Sequence, residues 1–321
     1  MNTIDVYSRT TQNSGYKSEL MKAFYDGVNK NNNPNWAAKL IDNYNLSDGT
    51  HAFCFNYQRD VVRDRAGLHL RRKVIDKYLP SGKIFFFDSN VLIAYEKEKY
   101  HPTNSYVRIA YSNVYPDKAE YFNNNPKPDR WNIMKEKLNI NLKDYDKSGD
   151  QIYICCNRGS GGYSAFGQNA AQWAIETTSL LRQYTKRPIV IRLHSSKDYP
   201  TQADDVKKLY DFKSGKKDID VHSPGNNYPN LLDEIKKSYA VITFTSSSGA
   251  SAIVEGKPLF VTHQSGYLYS MNAGHLSQIE NPNLDLDREK FLWGLGECHW
   301  TLQDVENGLY FKKFLENNND H

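Results

Sequence analysis

The stretch YAVITFTSSSGASAIVEGKPLFVT, from Tyr239 to Thr262, decides the reading of the fold. Ala240 to Phe244 is an apolar run of strand length, and Ser246, Ser247, Ser248 and Gly249 follow as a turn of small residues. A short helix comes next and stops at Gly256-Lys257-Pro258, and Leu259 to Thr262 reads as a second buried strand. Where a strand hands over to a helix, backbone N–H groups and the positive end of the helix dipole suit an anion. In an open α/β sheet that place lies outside the carboxyl end of the strand, where ligands bind. A diphosphate fits such a junction. The same small residues also permit a tight turn with no ligand, and the segment alone leaves both readings open.

Working outward, the second half of the chain alternates regularly. QIYICC is a strand, followed by the loop NRGSGGYSAFGQ and an amphipathic helix with Ala171, Ile175, Thr178 and Leu181 on one face. PIVIRLH, a helix near Gln202 to Phe212, the strand DIDVH and the helix LLDEIKKSY complete the series. Such spacing predicts a mostly parallel, doubly wound sheet. The first half is similar but less regular: strands at Ile4 to Ser8, HAFCFNY and KIFFFDSN, with helices at Lys17 to Val28 and LHLRRKVIDKY. The segment from Val91 to Pro126 resists assignment. KPDRWNIMKEKLNI reads as a helix, and the polar LKDYDKSGD as a linker. At the end of the chain, DREKFLWGLGECHW and TLQDVENGLYFKKFLE read as two helices, the second capped by Thr301.

Composition bounds the function. The chain has 321 residues, enough for two domains, and 41 Lys+Arg against 37 Asp+Glu give a net charge of +4. That excess is too small to establish nucleic-acid binding, although it allows a basic face. Cys54, Cys155, Cys156 and Cys298 lack metal-ligand spacing and read as reduced, buried thiols of a cytoplasmic protein. No apolar run approaches membrane-spanning length, and the N-terminus has no signal-like apolar core. A monomer without membrane partners is expected.

The tract from Leu231 to Thr262 resembles the nucleotide-sugar half of GT-B glycosyltransferases, including capsular-polysaccharide enzymes and phage sugar transferases. SMNAGHLSQIENP with DREKFLWGLGECHWT resembles a tract of phage-associated glycosyltransferases. The resemblance implies an α/β fold of the GT-B type, two Rossmann-like doubly wound domains facing across a cleft. It places an acceptor domain at 1–148, a nucleotide-sugar domain at 149–300, and a tail at 301–321 returning to the first. One departure stands out: Ser251 occupies the place of a ribose-binding carboxylate, with Glu255 one turn later.

The candidate site residues follow. Arg192 and His194 leave PIVIRLH at its carboxyl end, suited to a diphosphate and its departure. His194 also suits packing. Arg158 and Gly159 lie in a Gly-rich loop that matches neither a P-loop nor GxGxxG. Ser246, Ser247, Ser248, Gly249 and Glu255 complete the nucleotide side, and Ser270, His275 and Glu280 are placed beside the donor sugar. Asp88, ending KIFFFD, is the expected catalytic base, with Asp60 second; an Asp-Ser-Asn turn explains Asp88 equally well. Arg59, Arg63, Arg65, Arg71, Arg72 and Lys73 form the densest basic run, suited either to a DNA phosphate track or to a solvated helix face. Loops near Tyr100 to Tyr121 suit a flipped base.

The combined expectation is transfer of glucose or arabinose from a UDP-sugar to 5-hydroxymethylcytosine in double-stranded phage DNA, with no essential metal or cofactor. The alternatives are a surface or capsular glycan transferase, a sugar-nucleotide epimerase, and a non-catalytic DNA-binding protein.

Overall fold

The computed structural model describes residues 1–11, 15–55, 66–98, 101–112, 125–158, 169–195, 202–225, 228–264 and 266–317. In chain order the first elements are β1 (Asn2–Tyr7), α1 (Gly15–Lys30), β2 (Trp36–Ile41), β3 (His51–Phe55), α2 (Ala66–Tyr78), β4 (Ile84–Ser89), β5 (Tyr106–Tyr111) and α3 (Pro128–Lys137). Next come β6 (Gln151–Cys155), α4 (Ala170–Leu181), β7 (Ile189–Arg192), α5 (Gln202–Lys213), β8 (Ile219–His222), α6 (Leu231–Lys237), β9 (Ser238–Thr243), α7 (Ser248–Val254) and β10 (Leu259–Val261). The chain closes with α8 (Arg288–Cys298), β11 (His299–Thr301), α9 (Leu302–Glu306) and α10 (Leu309–Asn317).

Two compact units result, one made of Met1–Asn139 with Leu292–His321, the other of Ile140–Phe291. Their boundary therefore falls inside α8, and nine residues before the one expected at 148. Each unit carries a doubly wound sheet. In the second the order is β8-β7-β6-β9-β10, all parallel. Numbered within the unit that is 3-2-1-4-5, the Rossmann winding, with its switch point between β6 and β9. Its strands are buried on both faces, which is why they read as unbroken apolar runs. In the first unit β2-β1-β3-β4 are parallel, and β5 and β11 extend the sheet antiparallel.

The segment read as a linker is not a loose tether. Lys143 N donates to Val254 O and Asp146 N to Gly256 O, so the chain before β6 lies against the end of α7. Gly256 has φ +70°, and a Cβ there would meet Asp144 O at 2.0 Å, so only glycine fits. The buried Lys257 ammonium pairs with Asp146, whose carboxyl is held well below the usual range chiefly by that bond and by Ser148. The Gly-Lys-Pro signature thus clasps the entry to the second unit.

In the first unit the tail seals one face of the sheet. Phe314 on α10 meets Tyr111 at 4.8 Å, Phe85 at 4.9 Å and Trp36 at 5.6 Å between ring centroids, all edge to face. Gly27 lets α9 approach α1 closely, since a Cβ there would meet Val305 O at 2.0 Å. The expected single tail helix is two helices, α9 and α10, interrupted at 307–308. All four cysteines are buried thiols outside any disulfide, and no described helix is long and apolar enough to cross a membrane.

Phe314→Ala removes three ring contacts and leaves a cavity against the sheet. We expect it to lower unfolding free energy by about 3–5 kcal/mol, measured by urea denaturation followed by circular dichroism. A loss below about 1 kcal/mol would mean that α10 does not hold the sheet face.

Candidate functional site

At the switch point of the second unit, two strand ends are stitched together by side chains. Asn157, just past β6, donates from Nδ2 to Thr245 Oγ1 at 2.8 Å and accepts Thr245 N–H at 3.0 Å. Thr243 Oγ1 donates to Cys155 O at 3.2 Å and accepts Ser246 N–H at 2.8 Å. The turn after β9 is then closed by itself: Ser248 N reaches Ser246 Oγ at 3.4 Å, and Gly249 N reaches Ser246 O at 3.2 Å. This departs from the expected cradle of free N–H groups. The N–H groups of Thr245, Ser246, Ser248 and Gly249 are spent internally, and α7 spans only seven residues. Asn157 and Thr245 were not anticipated from sequence, although both directly follow strands that the winding makes neighbours.

The positive charge lies beside this stitch. Arg192 ends β7, and its Nη1 donates to Tyr153 Oη at 3.0 Å and Pro229 O at 2.9 Å. The Tyr228 ring lies under the guanidinium, 3.9 Å from Cζ, and Tyr228 Oη bonds Leu193 O. Arg192 is thus fixed in place by one edge. Arg158, exposed at the end of the β6 loop, is the second cation. Neither arginine forms an ion pair among the described residues. His194 follows Arg192 by two residues; burial, then the charges of Arg158 and Arg192, lower its pKa to about 4. At neutral pH its imidazole is uncharged.

Other expected site residues are elsewhere. Glu255 caps the far end of α7, about 10 Å along the helix axis from the turn. It is 5% exposed and paired with Lys143 at 2.5 Å, so it serves the clasp and not a ribose. Ser251, in the ribose carboxylate's place, is buried with no partner for its Oγ. Glu280 accepts from Thr185 Oγ1 at 2.5 Å and Arg187 Nε at 3.1 Å, both just ahead of β7. Its backbone carbonyl accepts from Tyr239 Oη, near the start of β9. Glu280 therefore sits at the amino end of the sheet, away from any donor sugar at the carboxyl end. Ser270 and His275 are exposed on the segment after β10. Gly159 lies outside the described residues.

In the first unit Asp88 lines a pocket with Tyr16, Lys17, Phe55, Asn90 and Glu96. Its carboxylate pairs with Arg108, the cross-strand neighbour on β5, at 2.9 Å, and accepts Ser89 N–H at 2.7 Å. Asp88 thus both lines a pocket and makes the Asp-Ser turn bond. Of the basic run, only Arg71, Arg72 and Lys73 lie among the described residues. Arg71 is 1% exposed, donates to Thr10 O at 2.6 Å and lies over the Phe55 ring, so it cannot reach a phosphate. Arg72 faces solvent near Asp76, 3.8 Å away, and Lys73 is exposed. Arg59, Asp60, Arg63 and Arg65, and much of the Tyr100 to Tyr121 stretch, lie outside the described residues. Also among the described residues, no cluster of three His, Cys, Asp or Glu side chains is placed to hold a metal.

No family model matches the chain, and no curated protein matches it. Among solved structures, it is similar to Thermosulfurimonas dismutans KpsC, beta Kdo 2,4 transferase, with a TM-score of 0.50 and 10% identity, over 96% of this chain and 98% of that one. The likeness is one of fold. The chain shares the α/β architecture of that transferase from end to end, as the GT-B resemblance implies. The beta Kdo 2,7 transferase of the same KpsC aligns at a TM-score of 0.49 and 14% identity, over 98% and 100% of the two chains. A Staphylococcus aureus MnaA–UDP structure aligns at 0.36 and 10%, over 98% of each.

An anion seated beside Arg158 and Arg192 would offset their part of the shift of His194, which burial mainly sets, and so raise its pKa above about 4. Binding of UDP-glucose, whose phosphates are both esterified, should therefore take up protons near pH 5 and none near pH 8. Calorimetry in buffers of differing ionisation enthalpy reads this directly. His194→Gln should abolish the uptake, and equal uptake in that variant would place the titrating group elsewhere.

Proposed function

We propose that the protein is a glycosyltransferase that moves a sugar from a nucleoside-diphosphate donor, UDP-linked in the first instance, to a hydroxyl of a surface or capsular glycan. The observation that carries this is the placement of Arg192, ending β7, and Arg158, just past β6, at the carboxyl ends of two paired parallel strands, where Cys155 stands opposite Arg192 and Cys156 N donates to Arg192 O. Two guanidiniums that form no ion pair among the described residues suit a diphosphate, and His194, two residues after Arg192, would donate an N–H to its oxygens. The fold shared with the KpsC transferase supports the class. The buried Arg71 and the small net charge favour a glycan over duplex DNA as acceptor. Asp88, in the pocket of the first unit, is the proposed base for the acceptor hydroxyl, and Arg108 fixes its carboxylate.

The protein should be incubated with UDP-, GDP- and CMP-sugars, and with capsular oligosaccharides or hydroxymethylcytosine DNA, and products read by mass spectrometry. Sugar joined to an oligosaccharide is expected. Transfer to DNA alone would restore the phage-type acceptor, and an isomerised nucleotide-sugar would mean an epimerase. Arg158→Ala and Arg192→Ala should each weaken donor binding by about 1.5–3 kcal/mol by calorimetry. Arg158 is exposed, so its variant tests the site without disturbing packing. Asp88→Asn should keep donor affinity and lower turnover by about 10²- to 10⁴-fold. Near-normal turnover in that variant would remove Asp88 from the reaction.

A further inference from the structure

Apart from the arginines at the ends of β6 and β7, the second unit carries a groove whose lining includes His275, one of the residues expected beside the donor sugar. Its volume is about 660 Å³, within the range of ligand sites. It starts beside Phe244 and Thr262 at the carboxyl ends of β9 and β10 and follows α4 past Trp173, Glu176 and Leu180 to Tyr184. The opposite wall is the segment after β10, with Tyr269, Asn272 and Ser277. The bond from Trp173 Nε1 to Thr262 Oγ1, 2.9 Å, ties the two walls at the top.

Two properties of the lining select its ligand. First, aromatic rings stand open to solvent on both walls: Tyr184 is 41% exposed and Tyr269 42%, and Leu180 on α4 is 40% exposed. Open rings on a monomer are faces for something apolar on one side and wet on the other. Second, the groove has almost no charge. Among the described residues no Lys or Arg lines it and Glu176 is the one acidic side chain; its two histidines are His263, whose pKa burial lowers, and the exposed His275. A nucleotide, a nucleic acid or an acidic polymer meets no described Lys or Arg here. A purely apolar partner would strip water from Thr262, Asn272, Ser277 and Glu176 without replacing their hydrogen bonds. A neutral ligand with C–H faces for the rings and hydroxyls for these groups meets both conditions.

We propose that this groove binds a neutral glycan, an oligosaccharide lying along α4 with sugar rings against Tyr184 and Tyr269. The site rests on the chemistry of the groove and not on the transferase reading, so the two stand or fall separately. The full chain should be applied to an array of neutral and acidic glycans, and the best neutral oligosaccharide titrated by calorimetry. Binding is expected for neutral chains and should hold from low to high salt, since no ion pair contributes. Tyr184→Ala and Tyr269→Ala should each weaken it by about tenfold, with unchanged UDP-glucose affinity. Both side chains are exposed, so their thermal midpoints should stay at the wild-type value. Binding only to acidic glycans, binding to none, or binding untouched by both tyrosine variants would overturn the proposal.

Discussion

The carboxyl end of a parallel sheet poses one problem that governs the second unit: strands stop together, and the backbone groups beyond them need partners. Here the side chains of Asn157 and Thr243 supply those partners across the switch point. Because the stitch consumes turn N–H groups, the turn after β9 has few donors left for a ligand. Positive charge stands instead on the neighbouring strand and loop, at Arg192 and Arg158. Tyr153, Pro229 and Tyr228 fix one edge of the Arg192 guanidinium. A side chain with that many rotamers would otherwise lose much of its binding energy to ordering.

The same accounting explains why conspicuous charges turned out structural. Glu255 and Lys257 flank Gly256 at the end of α7, where they meet Lys143 and Asp146 as the chain enters β6. Glu280 is taken by Arg187, whose guanidinium also stacks 3.6 Å over Tyr239. These pairs brace the amino end of the sheet, while Arg158 and Arg192, which form no ion pair among the described residues, are at the carboxyl end. That segregation is the physical mark of the candidate site.

The parallel core was legible because burial on both faces writes itself as runs such as IYIC and AVIT. Elements at sheet edges were not. β2 is a half-exposed edge strand between Asn-rich turns, and β11 is three residues long, continuing directly from α8. Its register is held by pairing with β5 and by His299, whose Nδ1 donates to Leu295 O while Nε2 accepts Val91 N–H. Nothing in ECHW signals those distant partners. Arg71 is different, because its burial was readable. It stands three residues after Leu68 and four before Ile75, on the apolar stripe of α2. Composition drew attention to the run of arginines, whereas periodicity separates Arg71 from Arg72. The place of Glu255 was readable too, since a helix that starts at the strand's carboxyl end carries its last residue toward the other end.

Charge divides the second unit's surface in a way that the winding enforces. The arginines belong to β6 and β7, the first two strands of the Rossmann order, and the uncharged groove belongs to β9, β10 and the outer face of α4. In a 3-2-1-4-5 sheet these positions fall on opposite sides of the switch point. Trp173, Phe244 and Phe260 make the β9–β10 side an apolar wall where a buried charge would be poorly solvated, and Glu176 on its lining is accordingly exposed. Arg158 is exposed on the other side, where an apolar patch would desolvate it. The strand order thus keeps the cations and the apolar wall on opposite sides of the switch point.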